Sequence, residues 1–387
     1  RLQFYYVCRS PLSLVHRLIL VYILSFKKQE FGGDMPNSII IATGSYIPSE
    51  RIPNSHFLER EFYSSDGRRM EKPNAEIVET LHNITGIQER RYVAEELTTT
   101  DIAYEAAAAA LSDVDPESLD YIIVAQNFGD VQSGNLRSDM VPTIASRVKH
   151  RLQIKNPYCV AYDIPFGCPG WLQGMIMADY YIRSGDAKRV LVIGAEILSR
   201  VSDPHDIDCM IFADGAGATV LAASDRADGI LSHVARTDAA DHAWMLRLEK
   251  TYHPRRGGDE LYIKMDGHDI YRYALKTVPL VVKQALDKAG LSLEDVKKIL
   301  MHQANAKMDD AILARLFRLY GVKDVASDVM PMIIHWTGNS SVATIPTMLD
   351  LLMKDQIDGH RLSSGDVAVF ASVGAGMNIN AMVYRMP

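Results

Sequence analysis

The sequence predicts an α/β protein assembled from two copies of one unit. Three observations lead there: short apolar runs alternate with stretches of helical period, four local patterns recur in the same order later in the chain, and the composition is that of a soluble protein with a substantial core. Of 387 residues, 48% are apolar and 23% charged, near the averages for globular domains. With 41 Lys and Arg against 48 Asp and Glu, the net charge is −7, which offers no overall positive field to a nucleic-acid backbone. The four cysteines, Cys8, Cys159, Cys168 and Cys209, are far apart and form no CxxC pair. Neither a metal site nor a disulfide framework is expected, and a reduced, cytoplasmic setting is.

At the amino end, the apolar run Leu12 to Phe26 is interrupted by His16 and Arg17 and followed by Lys27 and Lys28. It is too short and too charged to span a bilayer, and it lacks the small residues of a signal-peptide cleavage site. Residues 1–35 are therefore expected to be an extension outside the fold, with a peripheral membrane-contacting helix as the rival reading and no stable membrane insertion. The first strand-like run is Ser38 to Thr43. Further strands are expected at Tyr121–Ala125, Val190–Gly194, Ala216–Ala222, Ile299–His302, Val367–Ser372 and Asn378–Tyr384. Helices are expected at Thr100–Leu111, Pro169–Arg183, Asp269–Ala289, Ala306–Leu319 and Ser341–Lys354. The alternation argues for buried sheets covered by helices.

The repeat divides the chain into halves, 36–225 and 226–387. Asp101-Ile-Ala-Tyr-Glu-Ala106 resembles Asp269-Ile-Tyr-Arg-Tyr-Ala274, and Leu119 to Gln126 lies over Val296 to Gln303. Cys168 stands eleven residues before Asp179 as Asn339 does before Asp350, and Ser-Gly-Asp precedes a strand at Ser184–Asp186 and again at Ser364–Asp366. Under this superposition Cys168 and Asn339 are equivalent helix starts, and His302 ends the strand that matches Ala125. A pseudo-twofold axis would bring the three together.

Each of the three has a chemistry. Cys168 lies where a strand-like run breaks into a helix at Gly167-Cys-Pro-Gly170, with Pro169 suited to the first turn. A sulfur at a helix start is expected to have a lowered pKa and to serve as a nucleophile. Cys159 and Cys209 read as small buried apolar residues. His302, in His302-Gln-Ala-Asn305, and Asn339, in Gly338-Asn-Ser-Ser341, can each donate a hydrogen bond to an oxygen gaining negative charge. The turn Gly374-Ala375-Gly376 allows backbone to approach a substrate, and one of its amides with that of Cys168 would form an oxyanion hole. Asp214-Gly-Ala-Gly-Ala218 is read as a structural turn between strands.

From about Ile39 to Tyr384 the chain resembles the β-ketoacyl-acyl-carrier-protein synthase III group of the thiolase superfamily. The matching motifs are Gly44-Ser-Tyr-Ile-Pro48, Thr85-Gly-Ile-Gln-Glu-Arg-Arg91, the Cys168 elbow, Phe212-Ala-Asp-Gly-Ala-Gly-Ala218, His302-Gln-Ala-Asn305 and Gly338-Asn-Ser-Ser341. The resemblance implies a five-layered αβαβα fold, a homodimer, and a catalytic triad of Cys168, His302 and Asn339. It also implies an oxyanion hole from the amides of Cys168 and Gly376, and no cofactor beyond thioester substrates on acyl carrier protein or coenzyme A. The implied reaction is a decarboxylative condensation of an acyl thioester with malonyl-acyl carrier protein through an acyl-Cys168 intermediate. The alternatives are an acyltransferase of the same fold that forms no carbon–carbon bond, a condensing enzyme like those of dialkylresorcinol or aryl-polyene lipids, and a silent subunit of an active homologue.

Lys307 falls where the family places a basic carrier-docking residue, with Arg255, Arg256, Lys149 and Arg151 as further candidates. Met140, Val141 and Trp171 are candidates for the acyl pocket. Thr80 and Ile84 stand where coenzyme A-primed members carry Trp and Arg, which turns the expectation toward a carrier-bound donor.

Overall fold

The computed structural model describes residues 35–387 apart from 257 and 327. The expected extension, Met35 excepted, lies outside the described residues. Two sheets organise the rest. The first joins β1 (Asn37–Tyr46), β4 (Tyr121–Ala125), β7 (Val160–Ile164), β8 (Arg189–Ile197) and β9 (Asp214–Ser224), in the spatial order β1-β9-β8-β4-β7. The second joins β10 (Gly229–Thr237), β13 (Val296–Met301), β14 (Val367–Gly374) and β15 (Asn378–Arg385), in the order β10-β15-β14-β13. Numbered within each half, these orders are 1-5-4-2-3 and 1-4-3-2, the second matching the first with its third strand left out. The pairings repeat as well: antiparallel, antiparallel, then parallel, in both sheets. Where the second sheet lacks a fifth strand, a single bond from Ile299 N to Val329 O (2.8 Å) marks the corresponding edge.

Remaining strands pair outside these sheets: β2 (Glu50–Pro53) with β3 (Glu89–Tyr92), β5 (Asp130–Gln132) with β6 (Asn135–Asp139), and β11 (Leu246–Glu249) with β12 (Tyr262–Met265). Helix α1 spans Asn74–Thr85, α2 Thr99–Ala110, α3 Ile144–Arg151, α4 Gly170–Arg183, α5 Gly267–Ala289, α6 Ala306–Leu319 and α7 Thr344–Met353.

The central strands are apolar at successive positions because both faces are covered. Ile122, Val124, Leu191 and Ile193 face Ile102, Ala106 and Val148 of α2 and α3, whereas Ile123, Val190 and Val192 face α4. On the second sheet, Ile299, Val369 and Val383 face α5 and α6, and Leu300, Phe370 and Met382 face inward. Trp171 and Met175 of α4, with Ile345 and Met348 of α7, fill the space between the sheets. The layers are thus helices, sheet, helices, sheet, helices.

The repeat at Asp179 and Asp350 has a structural meaning. Asp350 of α7 is buried and accepts from Thr43 Oγ1 (2.8 Å) and Ser45 Oγ (2.6 Å), both on β1 of the opposite half. Asp179 of α4 reaches across in the mirrored sense to His233 on β10 (3.6 Å). Each middle-layer helix is therefore tied to the first strand of the other half.

One sequence expectation is corrected. Asp214–Ala218 is the opening of β9 rather than a turn. A side chain at Gly217 would collide with Pro346 and Thr347 of α7 (2.7 Å), so the glycine lets helix and strand touch.

Candidate active site

The chain leaves β7, bends at Gly167 (φ +67°) and enters α4 with Pro169 at the cap position, so Cys168 sits one residue before the cap. Gly170 N bonds back to Gly167 O at 3.0 Å. Behind the elbow, the Gly167 amide donates to Asn127 Oδ1 (2.8 Å), and Asn127 donates its own backbone N–H (3.1 Å) and Nδ2 (2.6 Å) to Glu196 Oε2. A fully buried carboxyl on β8 thereby fixes the loop that fixes the elbow. Burial pushes Glu196 up to about 8 against the pull of these hydrogen bonds, so it carries a proton at neutral pH.

The second half supplies the facing wall. Gly374, at the end of β14, lies so close that a β-carbon there would be 2.5 Å from Cys168 N and 2.8 Å from Pro169 Cδ. The reciprocal position on Gly167 would be 2.8 Å from Ala375 N. Gly376 follows with φ +76°, where an added β-carbon would lie 3.0 Å from Asn378 Nδ2. The turn Gly374–Gly376 is thus laid directly on the elbow at Gly374 and Ala375, with Gly376 next to that contact in sequence.

His302 stands one residue beyond β13, its amide bonded to Ala371 O (2.9 Å) on the adjacent parallel β14, three residues before Gly374. Its neighbour Gln303 locks the strand end through Pro331 O (2.7 Å) and the amides of Ile333 (2.9 Å) and Ile334 (3.0 Å). Asn339 is held by its main chain, which receives from Ala213 N (2.8 Å) and donates to Ile211 O (3.0 Å) beside β9. Its Oδ1 accepts the Ser341 amide (2.9 Å), and Ser341 Oγ donates to Cys168 Sγ (3.4 Å). One residue therefore joins two of the three expected groups. Asn339 Nδ2 makes no hydrogen bond among the described residues.

The electrostatics differ from the sequence expectation at the sulfur. Burial raises the Cys168 thiol to about 11; the Ser341 hydrogen bond opposes this, and nearby Glu196 adds to it. A helix terminus contributes ~0.3–1 kcal/mol, at most about 2, less than the desolvation it faces here. At rest Cys168 is thus a neutral thiol, partly accessible. Burial lowers His302 to about 4, which keeps the imidazole uncharged, and its Nδ1 is buried without a partner. Alkylation of Cys168 by iodoacetamide should therefore accelerate about tenfold per pH unit from pH 7 to 10. A plateau below pH 8, read by mass spectrometry of the labelled peptide, would mean that the helix start outweighs burial. Cys159 and Cys209 are buried and Cys8 lies outside the described residues, so the rate is read on the peptide that carries Cys168.

The other expected residues are dispersed. Lys307 is exposed on the first turn of α6, and Arg255 and Arg256 are exposed near the β11–β12 connection. Lys149 is committed to Asn156 O (2.8 Å) and Cys159 O (2.6 Å), and Arg151 to Asp101 and the ring of Tyr104. The pocket candidates do not line one cavity. Val141 is 84% and Met140 39% exposed just past the β5–β6 hairpin, whereas Trp171 is 1% exposed between the sheets. Among the described residues, no three His, Cys, Asp or Glu side chains gather in a way that could hold a metal ion, and no helix is long and apolar enough to cross a membrane. Asn127, Glu196 and Ser341 are not singled out by the sequence as supports of the site, whereas Gly374 is, as part of a turn approaching substrate. Ser341 stood inside a quoted motif, but its partner sulfur is 173 residues away.

Comparison with known proteins agrees with this geometry. The family profile for 3-oxoacyl-[acyl-carrier-protein] synthase III matches residues 162–239, and that for its C-terminal region matches residues 286–386. The β-ketoacyl-[acyl-carrier-protein] synthase III of Prochlorococcus marinus (strain NATL2A) is 30% identical over 356 residues, covering 89% of this chain and 94% of the relative. The crystal structure of the 3-oxoacyl-[acyl-carrier-protein] synthase III of Aquifex aeolicus VF5 superposes with a TM-score of 0.74 at 29% identity, covering 90% of this chain and 99% of that one. The priming β-ketosynthase of the R1128 polyketide pathway shares the fold, with a TM-score of 0.75 at 24% identity over 92% of this chain and 97% of that one. The paired sheets and these similarities together lead to one conclusion: the chain belongs to the 3-oxoacyl-[acyl-carrier-protein] synthase III family of condensing enzymes.

Proposed function

We propose that this protein is an acyltransferase of the condensing type, joining an acyl group held on Cys168 to a malonyl-type thioester carried by acyl carrier protein. In the first half-reaction the Cys168 sulfur loses its proton and attacks the acyl carbonyl. The carbon–sulfur bond to the donor breaks, and the departing thiol takes up a proton. The developing oxyanion is received by the amides of Cys168 and Gly376. In the second half-reaction the malonyl carbon–carboxylate bond breaks and CO₂ leaves. The electron pair becomes an enolate whose oxygen is held by His302 and Asn339. The enolate carbon then attacks the acyl-enzyme, and the Cys168 sulfur departs with the electron pair of its bond. The thioester substrates alone supply the reacting groups.

The observation that carries this reading is the pairing of a nucleophile with two donors that stay uncharged. Burial keeps His302 neutral to about pH 4, and Asn339 does not titrate. Transfer to a hydroxyl or amine calls for one oxyanion site, and a second pair of donors has a use when an enolate must be stabilised.

A carrier-bound acyl donor is the better fit. Thr80 and Ile84 lie exposed on α1, which packs against α6 so closely that a β-carbon at Gly86 would be 3.1 Å from Ala306 Cβ. That face offers no aromatic ring at either position to stack on a nucleotide, and Lys307 opens α6 beside it as a docking charge for an acidic carrier. Self-association through β7 is also supported, because β7 pairs on one side only and the other edge is open.

Purified enzyme given an acyl carrier protein donor and then malonyl carrier protein should gain the acyl mass on Cys168 and release one CO₂ per product. Cys168→Ala should take up no acyl group. Acyl transfer without any CO₂ would favour the non-condensing alternative, and preferential acylation by acyl-coenzyme A would overturn the donor assignment. In the same assay Lys307→Glu should raise the KM for malonyl carrier protein several-fold while leaving malonyl-pantetheine unaffected. Sedimentation at the mass of a single chain would exclude the dimer.

A further inference from the structure

The Ser341 hydroxyl stands out among groups the mechanism leaves unused, because its backbone and its side chain both point to a purpose. The residue adopts φ +54°, a left-handed conformation that serine rarely holds, in a turn where the surroundings over-determine it. Gly338 precedes it at φ +71°, wedged against Arg90 and Ala213, where an added β-carbon would lie 2.6 and 2.8 Å from theirs. Asn339 is pinned on both main-chain atoms, and Val342 follows with its carbonyl pressed onto Gly194 of β8. Sparsely populated backbone of this kind persists where the fold holds it in place, and it clusters at working sites. The unusual angle accompanies two contacts: the amide reaches Asn339 Oδ1 (2.9 Å), and the hydroxyl reaches Cys168 Sγ (3.4 Å).

We propose that Ser341 is a positioning residue for both half-reactions, its hydroxyl stabilising the Cys168 sulfur as it gains charge and its amide aiming the Asn339 carboxamide at the enolate. The two functions separate along the residue's own atoms. A neutral thiol is a weak acceptor, so the O–H···S contact is modest at rest and strengthens as the sulfur becomes anionic. The amide bond occupies Asn339 Oδ1, which leaves Nδ2 as the group presented to substrate oxygen. Serine at this position thus couples the nucleophile of one half to the enolate donor of the other. The buried Glu196 is the titratable neighbour, opposing the sulfur's charge once it ionises above about pH 8, and His302 is the uncharged ring on the second sheet.

The inference rests on Cys168 being the nucleophile, which Cys168→Ala tests by itself. Two variants of Ser341 isolate the hydroxyl. Ser341→Ala removes it and keeps the strained angle, whereas Ser341→Gly removes it and relieves the strain, and both retain the amide N–H. Hydrogen bonds to charged groups are worth about 1.5–3 kcal/mol, so both variants should show single-turnover acylation and Cys168 alkylation at fixed pH slowed by about ten- to a hundredfold. The alkylation profile should move to higher pH in both. CO₂ release from enzyme that has already been acylated should stay within about twofold of wild type, because it depends on the retained amide. Ser341→Gly should also melt no lower than wild type. Superimposable alkylation profiles in all three proteins would overturn the proposal. So would a parallel fall in acylation, CO₂ release and melting temperature, which would make Ser341 a purely structural residue.

Discussion

Gly374→Ala should lower the rate of Cys168 acylation by about a hundredfold or more while the protein still folds. The added methyl would sit 2.5 Å from Cys168 N, 2.8 Å from Pro169 Cδ and 3.0 Å from Cys168 Cβ. Two of these are backbone or ring atoms at the start of a helix, with no flexible end to swing aside. Position 374 has φ −165° and ψ −164°, extended backbone that alanine accepts, so the effect is a push between two walls and not a torsional penalty. A displacement on the order of 1 Å at a reacting group can cost about a hundredfold in rate. The elbow is where that displacement goes, since β14 is held by pairing on both sides. Mass spectrometry of acyl-enzyme formation in a single turnover, beside a thermal melt, separates the outcomes. Acylation within tenfold of wild type would show that Gly374 does not set the position of the sulfur.

The second large effect is on stability. Asp350→Ala should destabilise the protein by about 2–4 kcal/mol, because it strips the acceptor from two half-buried hydroxyls on β1 and from the Lys354 ammonium (2.9 Å). Asp350→Asn should recover part of the loss, since its carboxamide oxygen still accepts. Asp179→Ala, at the equivalent position, should cost less: one of its oxygens has no partner and the other is 3.6 Å from His233. Chemical denaturation of the three variants checks the order. Equal losses at Asp179 and Asp350 would mean that volume rather than hydrogen bonding sets the cost.

Much of the architecture was legible in the sequence because buried sheets and repeated units leave local traces. The run Val367–Ser372 reads as a strand because it is apolar at nearly every position, and Ala306–Leu319 reads as a helix from its period; β14 and α6 contain or match them. The positions of Cys168, His302 and Asn339 came from the repeat, which converts sequence distance into spatial equivalence. Asp214–Ala218 was misread because two glycines look like a turn when the helix pressing on them is out of view. The state of the sulfur was misjudged for a related reason. A helix start can be read from Pro169, but the burial that outweighs it comes from β14, about 200 residues on. Glu196 and Asn127 carry no local signal, and the motif that holds Ser341 gives no sign of its partner, because each acts through a contact between segments that only the folded chain brings together. The described residues leave the reading of residues 1–34 untouched.

The shared middle layer also bears on synthesis. Helix α4 is complete once Arg183 has been added, yet Phe370, against which Trp171 rests, is translated about 190 residues later. At about 5–20 residues per second, that helix waits on the order of 10–40 s with its face toward the second sheet unmatched. A ribosome-bound chain stopped short of residue 367 should accordingly be cleaved by protease within α4, whereas a released chain should resist.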